Sequence, residues 1–230
     1  GKAMVVLMRA SLAVPFGARP ATAAFATLYE TLVMMATGGL LAALGFALPP
    51  LRWARIGLGP LGTLDVPLAA IGLAAGLGFL TLVEVRVFPK LSALLTLPFP
   101  NVGVDALPHL STRRLAEGML WSVLGWGLLG LSQVAVLRAI LPDGVPVGLW
   151  PVVTASVALA TVAGFAVPVA PGGLGVREWV LWTGLGATIV DRDRAVVAAL
   201  ALRLTWVLGE ILAAAVLFPF RSPPAKLDAS

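Results

Sequence analysis

Cysteine is absent from this chain and histidine occurs once, at His109. Without cysteine there is no disulfide framework, no thiolate metal site and no thiol nucleophile. A single histidine argues against zinc sites of the usual His/Cys kind and against a His-based triad. Charge is scarce as well: 12% of the 230 residues are charged, against 59% hydrophobic. A soluble domain carries about a quarter charged residues, so this composition belongs to an integral membrane protein. No basic run exceeds Arg113-Arg114, so the net charge of +5 suits an anionic membrane surface rather than a nucleic acid. No Gly-Lys-Ser/Thr loop and no Asp/Glu cluster suited to Mg²⁺ is present. No cofactor, metal site or catalytic residue is therefore expected.

Long apolar runs fill the rest. A span needs about 20 mostly apolar residues. The expected fold is an all-α, polytopic transmembrane helix bundle, one domain over residues 1–220 with a polar tail at 221–230. Residues 3–14 are apolar but too short to span, closed by Pro15 and Gly17. Spans are expected at about Pro20–Phe46, Val66–Val83, Arg114–Leu141, from Trp150 to a break at Pro168–Gly175, and at Ala195–Phe220. Gly72 and Gly76 in the second span have the small-xxx-small spacing of close helix packing. Residues 91–97 read as a short helix in the interface, and 176–190 as a helix too short to span comfortably. Ser132 and Gln133 read as hydrogen-bonding glue between helices, and the seven tryptophans mostly as interfacial anchors near span ends. The chain opens on Gly1, as expected of a fragment preceded by further spans.

The stretch Ala170-Pro171-Gly172-Gly173-Leu174-Gly175-Val176-Arg177-Glu178 interrupts these runs. Non-helical backbone survives at membrane depth only inside protein or along a water-filled cavity, so a glycine-rich broken or re-entrant segment is expected here. It has two readings. Gly172, Gly173 and Gly175 supply a sharp bend, with Glu178 favouring a helix N-terminus. Alternatively, free N–H groups at the start of the next helix, with Arg177, make an anion site fit for phosphate. Arg203 and Glu210, seven residues apart on one helix, are expected to line one cavity without touching. Glu30 sits in the N-terminal half of its span, with packing and functional roles both open. A charge at mid-bilayer costs roughly 2.5–3.5 kcal/mol and therefore seeks partners.

The Pro171–Glu178 string resembles the motif of a flippase-like membrane family, named for the transmembrane region of lysylphosphatidylglycerol synthase. Gly1-Lys2 is similar to the end of that family's Pro-Gly-Lys motif, followed here by Arg9. Glu30 and Arg203 fall where the family has a Glu and an Arg. The chain departs from the family at Met4, Val5, Thr31 and Met34, where charged or glycine residues are common. The resemblance implies movement of a phosphate-bearing lipid, an aminoacylated phospholipid or a lipid-linked sugar, between leaflets. Arg203, Arg177 and the backbone after Gly172, Gly173 and Gly175 would hold the phosphate, with Glu30 and Glu178 balancing charge. The competing expectations are a non-transporting scaffold for a lipid synthase and a lipid-modifying transferase using Glu30 or Glu178 as base. Nine Lys/Arg on one side of the layout against five on the other put the C-terminus in the cytoplasm.

Overall fold

The computed structural model describes residues 2–48, 55–58, 64–84, 86–96, 111–141, 144–167, 173, 175–186 and 189–217. It is an all-α helix bundle, with eight helices among these residues. They are α1 (Lys2–Ala13), α2 (Pro20–Ala47), α3 (Leu68–Val83), α4 (Phe88–Thr96), α5 (Thr112–Ile140), α6 (Trp150–Ala166), α7 (Val176–Gly186) and α8 (Arg192–Leu217). Helix α2, helix α5, α6 with the 3₁₀ turn before it, and α8 are each long and apolar enough to cross a membrane.

The expected second span is the one that differs. Residues 64–67 belong to an antiparallel hairpin, β1 (Arg55–Leu58) paired with β2 (Leu64–Pro67), so Val66 is a strand residue. That leaves α3 with 16 residues, or about 24 Å against a hydrocarbon core of about 30 Å. It reaches spanning length only together with Phe88–Leu94, inclined to it by 75°. The stretch expected to lie in the interface forms α4, while residues 97–110, His109 included, lie outside the described residues.

Helix α2 packs against α1, α3, α5 and α6 and is the hub of the bundle. Its approach to α3 depends on glycine. A Cβ on Gly39 would lie 2.5 Å from the Gly76 nitrogen, and one on Gly72 would lie 2.7 Å from the Ala43 nitrogen. This is the close packing that the Gly72/Gly76 spacing implies. On the opposite side the buried Trp126 ring fills the notch over Gly38, and its Nε1 donates to the Met34 carbonyl at 3.0 Å. Trp126 is thus an internal post, not an interfacial anchor.

Helix α6 is the most enclosed element: every residue from Val153 to Ala160 is buried. A helix apolar on all sides belongs in the middle of a bundle. Hydroxyls inside the helices bond back to carbonyls four residues earlier, as Thr27, Thr37, Thr154 and Ser156 do. They thereby bring no unmet polar group into the bundle. Gln133 does not follow the expected glue role: it is fully buried and neither side-chain polar atom has a partner among the described residues.

Replacing Gly39 by alanine is expected to lower the thermal midpoint of the purified protein, at a cost of about 1–3 kcal/mol of overpacking. Gly78→Ala on α3, where a Cβ meets nothing within 4 Å, is expected to be neutral or to raise it by helix propensity. Equal effects of the two substitutions would refute the glycine seam.

Candidate functional site

The break ends against α6. Gly173 has φ +75°, in the left-handed region, and a Cβ there would fall 2.9 Å from the Gly164 Cα. Two features, conformation and contact, therefore require glycine at 173. Gly164 also seats the Arg177 side chain, whose Cβ lies 3.2 Å from the place a Gly164 Cβ would take. Gly172 and Leu174 lie outside the described residues.

Helix α7 starts immediately beyond. Gly175, at φ +83°, stands at the N-cap, and its carbonyl accepts the Trp179 N–H at 2.9 Å. Its own N–H donates to Glu178 Oε2 at 2.7 Å. This is the returning half of a capping box, a carboxylate at N3 satisfying the N-cap amide. The other carboxylate oxygen, Oε1, accepts from Arg203 Nη1 of α8 in a very close ion pair. Glu178 thus ties the broken segment, α7 and α8 together through one carboxylate. Its side chain is 15% exposed and that of Arg203 40%, so the guanidinium keeps donors open to the outside of the pair.

Arg177 lies on the same side. Its guanidinium carbon stacks 4.2 Å from the centre of the Trp206 ring, a cation–π contact. The Trp206 Nε1 donates to Ser132 Oγ on α5 at 3.1 Å, which is the interhelical role expected of Ser132. Arg177 Nη2 is buried and has no hydrogen-bond acceptor among the described residues. Arg177, Glu178, Arg203 and Trp206, with Leu181, Ala199 and Leu202, enclose a cavity of about 10 Å³. Two guanidiniums face one carboxylate in the cavity lining, and Glu210 adds its negative field at Arg177 from outside the lining. Removing a guanidinium donor from water without giving it an acceptor is costly, which makes the site receptive to an oxyanion.

The structure therefore brings together four of the residues singled out in the sequence: Gly175, Arg177, Glu178 and Arg203. It adds Trp206, Ser132 and Gly164. The spacing of Arg203 and Trp206, three apart and on one helical face, was a usable signal for the first of these; nothing local marks Gly164. Glu30 does not join them. Its side chain is 71% exposed and accepts from Arg9 Nη1 at 3.3 Å, a contact between α1 and α2. Glu210, expected to share a cavity with Arg203, is exposed, does not line this one, and makes no ion pair within 4 Å among the described residues. The α8 helix turns its inner face to the bundle only as far as Trp206, and residues 207–217 are all exposed.

A larger cleft, about 250 Å³, opens between α2, α5 and α6 beside Leu44, Leu48, Val123 and Trp150. Its polar groups are turned inward: Trp150 Nε1 donates to the Gly127 carbonyl at 2.9 Å and Thr154 Oγ1 to the Trp150 carbonyl at 2.8 Å. It presents hydrocarbon and no chemistry. Among the described residues no group of three or more His, Asp or Glu could hold a metal ion.

In a double-mutant cycle, Glu178→Ala and Arg203→Ala are each expected to destabilise the protein more than their combination does, because each alone strands a partly buried charge. The expected coupling is about 0.5–3 kcal/mol, read from thermal or denaturant unfolding in detergent. Strict additivity would mean that the pair holds nothing together.

No family model, no curated protein and no solved structure matches this chain.

Proposed function

We propose that this protein is a lipid translocase that moves a phosphate-bearing lipid between leaflets and performs no covalent chemistry. The observation that carries this reading is Arg177 Nη2, buried without an acceptor among the described residues, beside Arg203 at a break in the membrane-embedded backbone. A guanidinium fork suits a phosphate, and a helix N-terminus adds to the same field. Headgroup transfer needs a polar route across hydrocarbon, and broken helices provide one. Aminoacylated phospholipids and lipid-linked sugars are the substrate classes that the resemblance to the flippase-like family suggests. With a cationic headgroup, Glu178 would face the ammonium while the arginines face the phosphate.

The membrane in this proposal is the cytoplasmic membrane, with the C-terminus on the cytoplasmic side. Nine basic residues against five support that orientation where α3 is taken as a crossing. The uncovered half of α8, with Glu210 in it, favours a second reading: a non-transporting partner that holds a lipid synthase against that face.

The deciding experiment is leaflet exchange of labelled phosphatidylglycerol and of a lipid-linked sugar phosphate in proteoliposomes. Arg177→Gln removes the unsatisfied guanidinium and leaves the Glu178–Arg203 pair intact. It is expected to slow exchange about tenfold or more, the factor corresponding to one hydrogen bond between charged groups. Undiminished exchange by folded Arg177→Gln protein would remove the site from the mechanism. No exchange of either lipid by the unaltered protein would favour the scaffold.

A further inference from the structure

The donors that would hold a phosphate at this site already hold a carboxylate. Gly175 N–H points to Glu178 Oε2 at 2.7 Å, and Arg203 Nη1 points to Oε1. Both donors are of the kinds that bind phosphate oxygens, a helix N-terminal amide and an arginine fork. The remaining space, about 10 Å³, is close to the least that one water requires, and a phosphate with four oxygens cannot enter. The arrangement is closed.

We propose that Glu178 is an internal competitor for this site: its carboxylate stands where the phosphate binds and must leave Gly175 and Arg203 before a phosphate-bearing ligand can enter. The proposal rests on the phosphate-site reading given above and adds a lock to it. The surroundings show which groups can give way. Toward α6 the segment is fixed, because Gly173 and Gly164 meet backbone to backbone and the Arg177 stem lies on Gly164. Toward α8 the contacts are between side chains: Glu178 with Arg203, and Arg177 over Trp206. A change of Glu178 rotamer breaks the carboxylate's bonds to the Gly175 N–H and to Arg203 and leaves the backbone-to-backbone contact of Gly173 with Gly164 in place. It frees the Arg203 donor and the Gly175 amide together, at the cavity that the Arg177 side chain also lines. An entering phosphate replaces each bond that Glu178 gives up and supplies an acceptor to Arg177. The exchange is therefore near balance for a phosphate and unfavourable for a neutral headgroup, which offers no anion to Arg203.

A residue that only caps α7 has a different consequence. Glutamine at 178 can still accept the Gly175 N–H, but as a neutral amide it holds Arg203 far less strongly. If Glu178 is a lock, Glu178→Gln and the still charged Glu178→Asp both raise anion affinity; if it is only a cap, Glu178→Gln acts through the lost charge alone and Glu178→Asp leaves affinity unchanged.

The test is calorimetric titration of the purified full chain in detergent with dihexanoyl phosphatidylglycerol and, in a second arm, inorganic phosphate. Glu178→Gln is expected to bind the lipid probe about tenfold more tightly than the unaltered protein, the factor of one charge-assisted hydrogen bond no longer made internally. Adding Arg177→Gln is expected to abolish that gain. Glu178→Asp, one methylene shorter and still charged, is expected to show a smaller gain, and it decides the matter if the glutamine variant does not fold. A gain that includes Glu178→Asp with the lipid probe, alone or together with inorganic phosphate, supports the lock, and the second arm separates a lipid headgroup from a free phosphate. Equal affinity of Glu178→Asp and the unaltered protein overturns the lock. If Arg177→Gln alone still weakens binding in that case, the phosphate site stands without it; if Arg177→Gln binds as the unaltered protein does, both are overturned.

Discussion

One carboxylate holds the α7–α8 half of this bundle together. Glu178 caps α7 through the Gly175 amide and pairs with Arg203 on α8, so it joins a segment that has left helical geometry to the helix beside it. The apolar contacts of α8 with the bundle are modest: among its residues only Ala195, Ala198, Ala199 and Leu202 are buried. Three of the four are alanines and bury little area. In a bilayer, moreover, apolar contact between helices gains nothing over contact with lipid. Polar, ionic and cation–π contacts thus help to decide where α8 sits, and they include Glu178–Arg203, Arg177 over Trp206, Arg192 over Trp182, and Trp206 to Ser132.

The opposite half of the molecule is organised by close approach rather than by charge. The Gly39–Gly72–Gly76 seam brings α2 and α3 to backbone contact, and Trp126 fills the notch at Gly38. Tyr29 packs edge-on to Phe88 at 4.9 Å, and Phe79 lies 5.7 Å from Phe165. These contacts couple α2, α3 and α4 to the end of α6, the helix that also receives Gly173 and Arg177. The α6 helix is therefore shared by the two halves. Its enclosure gives the broken segment a fixed surface to turn against.

The fold was legible from the sequence where the signal was long and one-dimensional. The runs of α2, α5, α6 and α8 stand out because lipid demands apolar length and no pairing rule interferes. The helix break was legible because a proline and three glycines packed into an apolar run cannot continue a straight helix. What escaped depends on contacts remote in sequence. Val66 looks like the start of a helix from its own neighbours, and only pairing with Ile56 makes it a strand. Trp126 lies in the middle of its span, and only Met34 and Gly38, some ninety residues away, supply its bond and its notch. Glu30 looks like an intramembrane charge, yet its partner Arg9 belongs to a helix too short to span. For the site, residue type singled out Arg177, Glu178 and Arg203, and the fold gathers these three around one cavity. Which charges pair was not legible, because Arg203 and Glu210 are equivalent by helical spacing and only the position of α7 separates them.

That separation has a physical consequence for how charge is carried through a low-dielectric layer. A lone arginine there costs several kcal/mol, and a pair of arginines with one carboxylate costs less because each charge has a close counter-ion or an aromatic face. The cluster can therefore exist without a ligand, held by Glu178. An empty site of two bare arginines would draw in water or drive the helices apart. The arrangement found is a different one: the Glu178 carboxylate meets Arg203, and Arg177 is met by the Trp206 ring and keeps one donor without an acceptor among the described residues.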